Sequence, residues 1–133
     1  VLYIKISTMK IVLKTKTFDR WARKIIGAIE LCNAAREIER GVYEADLGGG
    51  VCKKRIPLPG QGKSGGIRTI VAKKNKEAII FIVGREKSYP GSDFSNVEQE
   101  AATIIAKSFE KADRNRLRVL VRAGILKELN CNE

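Results

Sequence analysis

Residues 47–68 read LGGGVCKKRIPLPGQGKSGGIR, and the fold is decided by how this stretch is read. It holds five cations (Lys53, Lys54, Arg55, Lys63 and Arg68), seven glycines and no carboxylate. No acidic residue occurs anywhere over 47–76. A concentrated positive field on a glycine-rich backbone suits phosphate oxygens and is of little use to a packed core. Residues 51–56 read as a short strand ended by Pro57 and Pro59. Side chains alternate across a strand, so Lys53 and Arg55 share a face with Val51, while Cys52, Lys54 and Ile56 take the other. Pro59-Gly60-Gln61-Gly62 is a turn. Residues 67–73 (IRTIVAK) predict the next strand, with Arg68 among β-branched neighbours, and residues 74–77 (KNKE) a polar hairpin turn. Residues 78–83 (AIIFIV) are almost continuously apolar and predict a central strand buried on both faces, ended by Gly84.

Upstream, residues 10–15 (KIVLKT) predict a first strand. Thr17 or Asp19 can cap a helix in which Phe18, Trp21, Ala22, Ile25 and Ile26 fall at helical spacing. That aromatic stripe reads as core. Gly27 marks a break, and a second helix runs over about 29–40, with Leu31, Ala34, Ala35 and Ile38 on one face and Gly41 as its stop. Downstream, Ser95-Asn96-Val97-Glu98 is a capping box that opens a helix to about residue 110. Asp113 begins a last helix, with Leu117, Leu120 and Val121 inward and Gly124 ending it. Runs of helices and strands, rather than alternating βαβ units, predict an α+β domain: a small antiparallel sheet packed with N-terminal helices, plus extra C-terminal helices. The expected division is residues 1–8 as an N-terminal extension or cloning remnant, 9–126 as the domain and 127–133 as a C-terminal tail.

The chain has 133 residues, a length expected of one domain. Its net charge of +11 implies an acidic partner such as nucleic acid. No apolar run approaches the ~20 residues of a membrane helix, and residues 1–8 are too short and mixed for a secretory signal, so a cytoplasmic location without membrane contact is expected. Cys32, Cys52 and Cys131 match no metal spacing and read as three reduced thiols. There is no histidine, which excludes Ser-His-Asp and Cys-His catalysis and His-ligated zinc. Acid–base chemistry must then use Lys, Tyr, Asp or Glu, and no metal or cofactor is expected. Gly62-Lys63-Ser64 looks like the end of a nucleotide-triphosphate loop, but Pro57 stands where that pattern needs glycine and a strand follows where it needs a helix.

The motif LGGG-V-x-KKR-x-x-x-PGQGKSGG-x-R over residues 47–68 resembles one branch of the RelE/HigB superfamily of bacterial toxins. The likeness extends upstream to Lys14-Thr15-Lys16-Thr17-Phe18, Trp21-Ala22-Arg23-Lys24, Glu37-Ile38-Glu39-Arg40-Gly41 and Ala45-Asp46. Downstream it takes in Phe81-Ile82-Val83-Gly84 and Lys87, so it covers roughly residues 10–126. The resemblance implies a compact microbial ribonuclease-like fold of the RelE/ParE type and a role in a type II toxin–antitoxin module. Toxins of this kind enter the ribosome and cleave mRNA without metal, and are held by a separate antitoxin, often of helix-turn-helix type. Two other functions are carried alongside: a ParE-like toxin that inhibits DNA gyrase and cleaves nothing, and a non-catalytic nucleic-acid-binding regulator.

Metal-free RNA cleavage moves the 2′-hydroxyl onto the adjacent phosphate. It needs a base for that hydroxyl, cations for the phosphorane and an acid for the 5′-oxygen. Arg68 matches the superfamily's middle-strand arginine, and its guanidinium fork fits two phosphate oxygens. Lys53 and Arg55 can flank the same phosphate, with Lys54 replacing them if the strand face is reversed. Lys87 matches the lysine after the last strand; clustered cations lower each other's proton affinity, which suits one lysine to proton transfer. The expected catalytic set is therefore Arg68, Lys87, Lys53 and Arg55. Lys54, Lys63, Arg85 and Tyr89 are expected to bind substrate, Lys63 as a loop contact to phosphate and Tyr89 by stacking on a base or donating a proton. One departure stands out: Gly84-Arg85-Glu86-Lys87-Ser88 occupies positions where the family has an apolar residue after the glycine and a Lys-Asn pair.

Overall fold

A computed structural model describes residues 9–60, 62–86 and 93–131, and only the backbone of residues 62–64. The extension expected over residues 1–8 lies outside the described residues, as do Lys87 and Tyr89. Among the described residues, six strands form one sheet: β1 (Ile11–Thr15), β2 (Ala45–Gly48), β3 (Val51–Leu58), β4 (Gly62–Ala72), β5 (Ala78–Glu86) and β6 (Leu126–Leu129), in the order β2-β3-β4-β5-β1-β6. Helices α1 (Lys16–Ala22) and α2 (Ala28–Glu39) pack on one face, α3 (Asn96–Phe109) and α4 (Arg114–Arg122) on the other. The expected α+β class holds, with one amendment: β1 pairs parallel to β5, and every other pair is antiparallel. Helices separate β1 from β5 in sequence, the kind of connection that parallel pairing requires.

The central strand earns its place by composition. Ala78, Ile79, Ile80, Phe81 and Ile82 are all buried, and they feed both cores. Ile79 and Phe81 join Phe18, Leu31 and Ile38 on the α1/α2 side, while Ile80 and Ile82 join Ile70, Ala102, Ala106 and Leu117 on the α3/α4 side. Phe18 stacks on Phe81 at 5.3 Å between centroids and meets Trp21 edge-on at 5.7 Å. Gly84 is what lets α1 come this close, because a Cβ there would lie 2.3 Å from the Trp21 ring.

Helix ends follow their capping chemistry. Ser95 and Glu98 form the expected capping box, and Asp113 caps α4 through the Arg116 N–H. The cap of α1 is Thr15 rather than Thr17 or Asp19. Its hydroxyl accepts from the Phe18 N–H at 3.1 Å and donates to the Ile82 carbonyl at 2.8 Å, tying the β1–α1 junction to β5. Asp19 instead pairs with Lys14 at 2.7 Å. Strand β3 runs through Pro57, because β2 pairs only as far as Lys53 and leaves β3 an open edge where a missing N–H costs no ladder bond.

Two expectations for the C-terminus and the cysteines need correction. Residues 127–129, expected as tail, complete β6, which pairs with β1 from Val12–Leu129 to Thr15–Leu126. That pairing carries Cys131 to α2, where it forms a disulfide with Cys32 across a sequence separation of 99 and a Cα–Cα distance of 5.6 Å. Spacing in the sequence could not show this, since the two residues meet only once β6 adds to the sheet. Cys52 alone remains a thiol among the three cysteines, buried in the α1/α2 core, and burial pushes it up to about 12.

Candidate functional site

The KKR run splits across the sheet as strand alternation requires. Val51 lies in the α3/α4 core and Cys52 and Ile56 in the α1/α2 core, so Lys53 and Arg55 point to the α3/α4 side and Lys54 to the other. Lys54 is 1% exposed. Its ammonium sits 2.6 Å from Glu37 and donates to the Val42 carbonyl at 3.0 Å, so it ties the end of α2 to the sheet. Lys54 was expected to contact substrate; the structure places it away from the other cations, inside the fold.

On the opposite face, three arginines stand in one row. Arg55 on β3 is directly across from Arg68 on β4, which is directly across from Arg85 on β5. Lys53 lies one inward step along the same face, opposite Ile70. Directly paired like charges in neighbouring strands repel, so this row is held together by the rest of the fold rather than by its own contacts. The sheet does so with a bulge. Ile70 pairs with Val83 but Val71 pairs with Phe81, which leaves Ile82 as an extra residue in β5. Counting by twos from Ile80 and Ile82 would send Arg85 to the α1 side. The bulge restores phase, Gly84 takes the Trp21 side and Arg85 joins Arg68.

The row ends at the connection into α3. Asp93 was not anticipated as a site residue. Its carboxylate meets the Lys53 ammonium at 2.6 Å, and its carbonyl accepts from Arg85 Nη1 at 2.8 Å. The hydrogen bond from Lys53 holds the Asp93 carboxyl below its ordinary value, and the charge of Arg68 adds to the effect. Arg85 also lies over the Phe94 ring at 5.8 Å and 3.5 Å from Glu98. Arg68 is 9% exposed, and its Nη1 is buried with no hydrogen-bond partner. A buried, unpaired guanidinium nitrogen is costly in a folded chain, and an incoming oxyanion would satisfy it.

Arg55 is exposed beside the row, with its backbone N–H donating to Glu44 at 2.7 Å. Lys87 and Tyr89 lie outside the described residues, as does the side chain of Lys63. The structure thus gathers Lys53, Arg55, Arg68 and Arg85, sets Lys54 apart and adds Asp93. Asp93 had no motif to announce it; the only sequence sign was its position just before the Ser95 capping box.

The glycines divide by role. Gly48, Gly49 and Gly50 all have positive φ (77°, 61° and 83°) and form the β2–β3 turn, with Gly49 against Thr103 of α3. They shape the hairpin and do not line the arginine row. Gly62 begins β4, so the GKS sequence lies at a strand and not at the start of a helix, against a nucleotide-triphosphate loop. Among the described residues, no group of three His, Cys, Asp or Glu could hold a metal ion, and no helix is long and apolar enough to cross a membrane.

No curated protein matches the chain. Residues 9–129 match the family described as the RelE toxin of the RelE / RelB toxin-antitoxin system. That span takes in every strand and helix from β1 to β6 and the whole arginine row, so the chain belongs to the RelE toxin family, whose members pair with an antitoxin.

Proposed function

We propose that this toxin is a metal-independent endoribonuclease that cuts mRNA on the ribosome. The observation that carries the reading is Arg68: a nine-tenths-buried guanidinium with an unpartnered Nη1, flanked across the sheet by Arg55 and Arg85. A scissile phosphate seated there gives Nη1 its missing acceptor. Arg55, open to solvent, takes the adjoining backbone. In the reaction the 2′-oxygen attacks phosphorus, the bond from phosphorus to the 5′-oxygen breaks, and a 2′,3′-cyclic phosphate and a 5′-hydroxyl result. Negative charge grows on the non-bridging oxygens of the phosphorane, and a fixed guanidinium row meets it without reorganising. One proton leaves the 2′-hydroxyl and one reaches the 5′-oxygen. Lys53 lies on the same face of the sheet as Arg68, and Lys87 follows β5 in sequence; these two lysines are assigned the proton transfers, with Lys63 and Tyr89 binding the strand around the cut.

This reading puts the protein in the cytoplasm, with ribosome-bound mRNA as substrate and a helix-turn-helix antitoxin as its inhibitor. Primer extension on mRNA in a translation extract tests it. Wild type should produce position-specific cuts, and Arg68→Ala should lower their rate by roughly 10²–10³-fold, the usual cost of one transition-state donor, while antitoxin binding is kept. Growth arrest without any cuts, accompanied by gyrase inhibition, would replace the nuclease by a gyrase-directed toxin. Cutting that is unchanged in Arg68→Ala would sink the assignment of that arginine.

A further inference from the structure

Helix α3 is buried on one side only. Ala102 and Ala106 face the sheet, while Val97 is 75% exposed and Ile104 70% exposed. Val97, Ala101, Ile104 and Ser108 follow one another at spacings of 4, 3 and 4 along α3, and all four are exposed. That spacing is the 3.5-residue seam of a coiled coil, on the outward side of a helix whose inward side is already occupied. Ile105, at 41% exposure, widens the apolar strip on one flank. Scattered surface hydrophobics are ordinary, but three β-branched residues on one solvent-facing helix stripe are not.

The charges beside the seam choose the occupant. Glu100 and Lys107 occupy equivalent positions on one flank, seven residues apart, one before Ala101 and one before Ser108. Neither has an ion-pair partner among the described residues. When two α3 helices pack antiparallel with Ala101 of each against Ile104 of the other, Glu100 of each copy falls opposite Lys107 of its mate, and the two-fold axis forms the pair twice. The helix dipole favours acids early and bases late on any helix. It does not account for the apolar seam those charges border.

We infer that the outer face of α3 is a self-association surface, on which a second copy of this chain packs antiparallel along the Val97–Ala101–Ile104–Ser108 seam. The helix is 14 residues long, or about 21 Å at 1.5 Å per residue. An interface of that length lies at or below the low end of specific interfaces, so the dimer is weak, dissociating at roughly 10–100 μM. The inference stands apart from the cleavage reading, since neither the seam nor its flanking charges include a residue of the arginine row.

Sedimentation equilibrium of the full chain over a wide concentration range tests it. The monomer is 14.8 kDa, and wild type should shift toward twice that mass as concentration rises. Ile104→Glu should raise the dissociation constant at least 10-fold, with unchanged circular dichroism because the site is exposed. Glu100→Lys and Lys107→Glu should each weaken association roughly 5-fold, by turning attraction into repulsion in both symmetric pairs. The double variant Glu100→Lys/Lys107→Glu should restore it. A wild-type protein that stays monomeric to about 500 μM, well beyond the range expected for so small an interface, overturns the inference and leaves the stripe to a different protein. A double variant as weak as its parents also overturns it, because the pairing of Glu100 with Lys107 is then wrong.

Discussion

The two faces of the sheet treat neighbouring lysines in opposite ways. On the α1/α2 face, Lys54 is buried, paired with Glu37 and bonded to the Val42 carbonyl, beneath a core that includes the Phe18, Trp21 and Phe81 cluster. On the α3/α4 face, Lys53 joins an arginine row and meets Asp93, while Arg85 of that row meets Glu98 in the first turn of α3. One peptide bond separates a residue that holds the fold from one assigned to the chemistry. A positive charge is structural where a carboxylate and a carbonyl close around it, and available for a ligand where cations crowd together and a donor is left unpaired.

This contrast can be broken most directly by exchanging the roles of the two lysines. Lys54→Ala should cost about 2–4 kcal/mol of stability, because it empties a fully buried site and removes the tie from the sheet to Glu37 and the Val42 carbonyl. Lys53→Ala should change stability by no more than about 0.5–1 kcal/mol, the scale of an accessible ion pair, while cutting RNA cleavage roughly 10²-fold under the proposed mechanism. Urea unfolding and primer extension on both variants give the comparison. Equal stability losses would show that the two faces are not distinct.

A smaller effect is expected at Gly84, the point where the faces meet. Gly84→Ala pushes a methyl group into the Trp21 ring and should destabilise by about 1–3 kcal/mol. It should also disturb the placement of Arg85 next to it, so cleavage should fall along with the unfolding midpoint. Thermal unfolding followed by Trp21 fluorescence reads the first part, and activity well below the unfolding temperature reads the second. Full activity in a destabilised variant would mean that the bulge, and not α1 packing, is what aims Arg85.

The smallest effect is the acid response. Asp19 is held below its ordinary value by the hydrogen bond from Lys14, and Asp93 by the hydrogen bond from Lys53. A depressed carboxyl binds protons more weakly folded than unfolded. Its contribution is therefore complete at neutral pH and is lost as pH falls from the ordinary carboxylate value, about 3.9, through the lower folded one. Asp19→Asn should flatten the fall of stability below about pH 4. Asp93→Asn should flatten it less, because Asp93 is the more exposed of the two. Its larger consequence should be tighter RNA binding, since the carboxylate nearest Lys53 is then neutral. Weaker RNA binding in Asp93→Asn would show that the carboxylate orients the cations instead of competing for them.

Much of this molecule is local in origin and can be read from its residues. The alternation that sends Lys53 and Arg55 one way and Lys54 the other is a property of any extended chain. The capping box at Ser95, the stop at Gly41 and the central burial of residues 78–82 likewise depend only on nearby residues. What the sequence could not decide are the features that require two distant segments to meet. Period-two counting along β5 puts Arg85 on the wrong face, and only the pairing of Ile70 with Val83 and Val71 with Phe81 inserts the bulge that corrects it. Asp93 becomes part of the arginine row only because α3 starts beside it. Cys32 and Cys131 meet only because β6 completes the sheet beside β1. Side-chain direction along one strand follows from local chain geometry, whereas register and strand addition are set by the partner strand, which the local sequence does not contain.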